Sequence, residues 1–151
     1  MQQRKFGNQP VTLRFDQEPR TYSFKSKLEA RYANYLERLR EVGQILGWWY
    51  EPLTLRFPEG LPREWTPDFL VLLPDGTVEL HETKGYLEQK DVHQFRRVGE
   101  NYEAFAKIVL IFAAASKSRP RVKAMASQWA EIRYANPLFA ETFGSVKAFV
   151  P

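Results

Sequence analysis

The chain contains no cysteine among its 151 residues. That excludes disulfides, thiolate zinc sites and thiol nucleophiles, and it suits a reducing cytoplasm or a high working temperature equally well. No apolar run approaches the length of a membrane span, and Met1-Gln2-Gln3-Arg4 is not followed by a signal-type apolar stretch. A cytoplasmic, intracellular protein with no membrane partner is therefore expected. Internal repeats and low-complexity segments are missing as well, so solenoid architectures and linker-like chains are set aside.

What is present is the composition of a folded domain. Hydrophobic residues make up 44% and aromatics 15% of the chain, enough to fill one core. A chain of this length reads as one domain rather than two. The net charge is +4 with a pI near 9.4. A mild excess of this kind suits a polyanion ligand, and its distribution matters more than its size.

Residues 1–9 are polar and basic. Val11-Thr12-Leu13-Arg14-Phe15 alternates like a strand, which Pro10 and Pro19 confine to a sheet edge or an arm. Over 26–46, Leu28, Tyr32, Tyr35, Leu36, Leu39, Val42 and Leu46 repeat with the spacing of one helical face. Ser26 and Glu29 form a capping box at its start, and Gly43 and Gly47 mark its exit. Residues 48–57 read as a strand broken by Pro52, and 58–62 as a loop. Residues 69–73 and 77–84 make a hairpin through Asp75-Gly76. A helix is predicted over 88–105, with Phe95, Val98, Tyr102 and Phe105 inward. The continuous apolar run at 107–112 is a buried strand. A last helix is predicted over 121–132, with Val122, Met125 and Trp129 on one face. No element is assigned after Pro137.

The predicted order is helix, three strands, helix, strand, helix. It defines an α/β domain with a mixed central sheet flanked by helices. Its core spans 26–112, with 1–25 an arm or edge strand and 113–151 a helical extension.

The most informative residues lie on the hairpin. Asp68 opens one strand, and Glu82 and Lys84 close the next. Side chains alternate along a strand, so Glu82 and Lys84 share a face while His81 and Thr83 take the other. Pairing through the turn brings Asp68 alongside Glu82. Two carboxylates, with the Thr83 carbonyl as a third oxygen, suit magnesium, and manganese is expected to substitute. Lys84 is placed to orient or deprotonate a water, or to neutralise phosphate charge. Each piece alone has a bland explanation, since Pro-Asp is a common turn and Glu-x-Lys a common solvated face. Their order and the hairpin between them favour phosphodiester hydrolysis.

Glu29, Pro67-Asp68 and Glu82-Thr83-Lys84 resemble the motif of the PD-(D/E)xK nuclease superfamily over most of the chain. The resemblance implies a restriction-endonuclease-like core, α-β-β-β-α-β, and a magnesium-dependent endodeoxyribonuclease. It also implies that Glu29, from the first helix, completes a metal site with Asp68, Glu82 and Thr83. Ser26-Lys27-Leu28-Glu29-Ala30 and Tyr50-Glu51-Pro52 are similar to three branches: archaeal-type Holliday junction resolvases, phage recombination endonucleases and the endonuclease subunit of Tn7-like transposons. Small size and element order favour a structure-selective enzyme over a restriction enzyme, and the resemblance to the resolvases implies a homodimer cutting four-way junctions in branched DNA. A phage-encoded enzyme is one form of this expectation. The sequence departs from the resolvases in lacking the serine of the loop before the Pro-Asp strand, where Thr54 and Thr66 are the nearby hydroxyls. The alternatives are a nuclease of transposon ends or single strands, or a non-catalytic DNA-binding module.

Basic residues supply candidate phosphate contacts. Lys90, Gln94 and Arg97 form a stripe on the helix after the motif, flanked by Arg96. Lys117, Arg119, Arg121 and Lys123 cluster at the entry to the last helix, and Arg4, Lys5 and Arg14 form an N-terminal arm. His81 is expected to be packed or on the surface, and His93 to be a bystander. Trp48, Trp49 and Tyr50 suit packing or an interface better than base stacking.

Overall fold

The apolar run 108–112 lies inside a five-stranded sheet and is covered on both faces. The computed structural model describes residues 9–15, 20–102, 107–114 and 120–143. Along the chain, a hairpin of β1 (Val11–Phe15) and β2 (Arg20–Phe24) precedes α1 (Lys27–Glu41) and β3 (Gly47–Tyr50). A short ribbon of β4 (Leu55–Arg56) and β5 (Glu64–Trp65) leads to β6 (Phe69–Leu72), β7 (Val78–Lys84) and α2 (Gln89–Tyr102). The remainder is β8 (Lys107–Phe112), α3 (Pro120–Ala126), β9 (Glu131–Tyr134) and α4 (Ala135–Phe143). The central sheet has the order β3-β6-β7-β8-β9. Its first three strands pair antiparallel, and β8 and β9 add in parallel. The expected mixed sheet flanked by helices is what forms. Among the described residues no helix is long and apolar enough to cross a membrane.

Strand alternation divides the core in two. Val109 and Ile111 enter one cluster with Phe24, Tyr32, Leu36, Trp48, Phe69 and Phe139, beneath α1, α4 and the first hairpin. Ile108, Leu110 and Phe112 enter the other with Trp65, Leu80, Leu87 and Phe95, beneath α2 and α3. Burial on both faces is why β8 reads as an unbroken apolar run. Each fully buried aliphatic or aromatic side chain contributes roughly 1.5–3 kcal/mol.

Local chemistry sets the elements that carry the site. Ser26 is extended at φ −146° and accepts the Glu29 N–H at 3.1 Å, which starts α1. Gly43, at φ +78°, takes the left-handed position that ends it. The turn between β6 and β7 is closed by Gly76 N–H donating to the Leu73 carbonyl at 3.0 Å, with Gly76 at φ +86° and Asp75 Oδ1 accepting the Thr77 N–H. That turn sets the register Phe69↔His81, so Asp68 lies opposite Glu82.

Several predicted boundaries need correction. The first helix stops at Glu41 rather than 46. The β2 strand was not anticipated. The helix predicted over 121–132 ends at Ala126, and the chain turns to lay β9 beside β8, with Ile132 opposite Leu110. The segment after 113 is therefore not a purely helical extension, because it completes the central sheet. Trp129 belongs to that turn, not to a helix, and seats on α2 at Gly99, where an added Cβ would stand 2.5 Å from the indole. Pro137 sits in the first turn of α4, where its missing N–H removes no helical hydrogen bond. Phe105 lies outside the described residues.

Candidate active site

Three carboxylates converge on one end of the sheet from different elements. Asp68 precedes β6, Glu82 lies on the α2 side of β7, and Glu29 arrives from the first turn of α1 on the opposite face. They are 9%, 4% and 7% exposed, and all three line a cavity of about 940 Å³ with Thr83, Lys84 and Tyr86. A second cavity, of about 570 Å³, shares Lys25, Asp68, Glu82, Lys84 and Tyr86 with the first and is also lined by Glu51, Thr66, Asp91 and Gln94.

Each carboxylate is anchored through one oxygen. Asp68 Oδ2 accepts the backbone N–H of Thr83 at 2.8 Å and its hydroxyl at 2.9 Å. Glu82 Oε2 accepts the indole N–H of Trp65 at 2.7 Å. Glu29 Oε2 accepts the Lys25 N–H at 2.8 Å and the Tyr50 hydroxyl at 2.7 Å. Glu29 thus reaches past Ser26 to Lys25, so one carboxylate both caps α1 and faces the cavity. The Asp68 and Glu82 side chains also lie within hydrogen-bonding reach of each other.

The electrostatics of this end are unfavourable in the protein alone. Burial pushes the Glu82 carboxyl well above the usual range, and the Asp68 charge adds to it. Glu29 is raised for the same two reasons, burial and then Asp68, against the hydrogen bonds from Tyr50 and Lys25. Burial would lower Lys84, but Glu82 and Asp91 outweigh it, so the ammonium is held above its ordinary value. Lys84 Nζ lies 3.9 Å from Glu82 Oε2 and 3.3 Å from Asp91 Oδ1.

The donors are hard oxygens on a rigid sheet end, which fits a magnesium- or manganese-type ion better than a soft one. Among the described residues, no group of three or more His, Asp or Glu side chains stands close enough to hold an ion as arranged.

The candidate residues divide between the cavities and the rest of the surface. Glu29, Asp68, Glu82, Thr83 and Lys84 come together. Lys90 and Gln94 line the second cavity, Lys90 exposed and 3.1 Å from Glu88. Arg97, read as their partner on the stripe, is taken up elsewhere. Its guanidinium donates to the carbonyls of Pro58 and Glu59 at 2.5 and 2.8 Å and lies over the Phe57 ring. Arg121 is exposed on α3, and Lys123 lies over the Tyr134 ring and donates to its hydroxyl. Arg4, Lys5, Lys117 and Arg119 fall outside the described residues. His81 is packed, as expected, and His93 lines neither cavity. Thr54 and Thr66 share a hydroxyl hydrogen bond of 2.6 Å beside the second cavity.

Four participants escaped the sequence reading in these roles. Tyr50, read as packing or stacking, donates to Glu29. Trp65 orients Glu82, and Lys25 pairs with Glu51 at 2.5 Å on the rim. Asp91 holds Lys84. Glu51 itself, a non-glycine residue, sits at φ +44°, a local strain beside the site, and its N–H donates to the Asp68 carbonyl.

No protein-family model matches the sequence, and no curated protein matches it. Among solved structures the chain is similar to the crystal structure of a repair endonuclease from Pyrococcus abyssi, with 16% identity and a TM-score of 0.42. The similarity covers 85% of this chain and 62% of that one.

Proposed function

We propose that the chain is a divalent-cation-dependent DNA endonuclease of PD-(D/E)xK type, acting on branched DNA as a homodimer. The observation that carries the reading is the meeting of Glu29, Asp68 and Glu82 in one cavity, each anchored by a protein donor, beside Lys84. Asp68 and Glu82, with Glu29 and the Thr83 carbonyl, would hold magnesium or manganese. Such an ion supplies charge neutralisation at the phosphate and a bound water of lowered pKa.

The chain's own groups do the rest. Trp65 and Thr83 fix the two hairpin carboxylates, so the ligand set is oriented before substrate arrives. Lys84 is protonated beside Glu82 and Asp91, which makes it a donor to a phosphate oxygen or a water rather than a resting base. Lys90 and Gln94 extend the second cavity along α2 for the flanking strand.

The test is cleavage of a labelled four-way junction, matched linear duplex and single strand, in magnesium and in EDTA. Asp68→Asn and Glu82→Gln should bind the junction yet lose cleavage by about 10³-fold or more. Wild-type rates in either variant sink the assignment. Paired symmetric nicks support a junction-resolving dimer, and equal cutting of linear duplex rules that target out.

A further inference from the structure

Lys84 is held by more than the motif it belongs to. The nearest anion to its Nζ is Asp91 Oδ1 on α2, at 3.3 Å, and Glu82 Oε2 stands farther off at 3.9 Å. Asp91 is 5% exposed, and a buried carboxylate is costly unless it is paired. Its Oδ2 accepts the Glu88 N–H at 2.8 Å where α2 begins. That bond caps the helix and aims Oδ1 at the lysine. Capping needs one neutral acceptor, which a serine or asparagine supplies; a buried charge goes beyond that need. The lysine is a point charge on a flexible stem. Without Asp91, its nearest anion would be Glu82, and its ammonium would settle on the carboxylate pair.

We propose that Asp91 is a positioning residue of this site: it draws the Lys84 ammonium toward α2, closer to itself than to Glu82, leaving the Asp68 and Glu82 oxygens to a cation and the ammonium to the substrate side. The inference rests on the nuclease reading, and it extends the four-residue motif to a fifth residue on a different element. Both Lys84 and Asp91 line the second cavity, whereas Asp91 does not line the first, so the pair faces the lobe that α2 borders.

Asp91→Asn separates the two duties, because asparagine keeps the acceptor for the Glu88 N–H and discards the charge. The variant should melt at the wild-type temperature and bind the junction in EDTA with wild-type affinity. Its kcat should fall roughly 10- to 100-fold, the size of a misplaced catalytic group. Calorimetry with Mn²⁺ alone gives a readout independent of turnover. The released ammonium competes for Glu82, so Mn²⁺ affinity should drop roughly three- to tenfold in Asp91→Asn. It should return to the Lys84→Ala value in Lys84→Ala/Asp91→Asn, where no ammonium is left to compete. Wild-type kcat in Asp91→Asn, or Mn²⁺ affinity that Lys84→Ala fails to restore, overturns the proposal while the nuclease reading stands. A wild-type protein that cuts none of the three DNA forms with magnesium or manganese overturns that reading itself, and this inference with it.

Discussion

Strand β7 buries two glutamates, Glu79 and Glu82, at 6% and 4% exposure, in opposite circumstances. Glu79 Oε1 is 3.1 Å from His81 Nε2, and its Oε2 is 3.8 Å from both Lys107 Nζ and an Arg133 nitrogen. The His81 hydrogen bond holds its carboxyl below the usual range, with Arg133 and Lys107 helping. His81 Nδ1 is 2.6 Å from the hydroxyl of Tyr32, which is fully buried on α1. One proton arrangement satisfies every group: Tyr32 O–H donates to Nδ1, and Nε2–H donates to Glu79. Glu82 has instead a second carboxylate across the hairpin, and burial plus that neighbour push it up. The lower end of the strand is a satisfied network that ties α1 to the sheet. The upper end is a frustrated one, and frustration of this kind persists where a ligand or a reaction relieves it.

Activity should show the largest contrast. Glu82→Gln is expected to lose cleavage by about 10³-fold or more, whereas Glu79→Gln keeps it within about threefold. Single-turnover rates on one junction decide the matter, and equal losses would erase the distinction between the two ends. Stability should run the other way. Glu79→Ala strands the Nε2–H of buried His81 without an acceptor and should cost about 2 kcal/mol. Glu82→Gln keeps an acceptor for Trp65 and removes the repulsion with Asp68, so in EDTA it should gain about 1 kcal/mol. Urea midpoints of the two variants measure both signs, and a destabilised Glu82→Gln would contradict the electrostatic picture.

The pairing of Asp68 with Glu82 was readable because it needs only strand alternation and a turn. Asp75-Gly76 sets the register, and the rest follows from a two-residue period. The capping box told only that Glu29 begins a helix, and its place beside Asp68 and Glu82 came from the resemblance; its bond to Tyr50 depends on where β3 runs. Asp91 carries no signal in the sequence beyond that of a first-turn acid, since its bond to Lys84 exists only once α2 folds back over β7. The contacts of Arg97 were hidden for the same reason. Its spacing from Lys90 and Gln94 is that of a phosphate-binding stripe, but carbonyls of the 58–59 loop claim it. The β9 strand was missed because Ile132 fits a helical stripe as well as a strand, and a four-residue edge element carries too few residues to separate the periods.

The smallest effect separates charge from hydrogen bonding at the lower end of the strand. Glu79 has its folded pKa below the ordinary glutamate value of 4.5. Between those two values the folded protein binds fewer protons than the unfolded chain, so its stability rises with pH there. The contribution is fully present above the unfolded value and is lost as pH falls through the folded one. Glu79→Gln retains an acceptor for His81 but cannot titrate, so it should be less stable than wild type by about 1 kcal/mol near neutral pH. Arg133 and Lys107 are 34% and 52% exposed, and solvent screening keeps their share of that figure small. Denaturant titrations across the acid range should show the gap between the two proteins closing as pH falls from 4.5 through the lower folded value. A gap that stays constant to the acid limit would mean that Glu79 stabilises this end by shape and hydrogen bonding alone, and the contrast with Glu82 would lose its electrostatic basis.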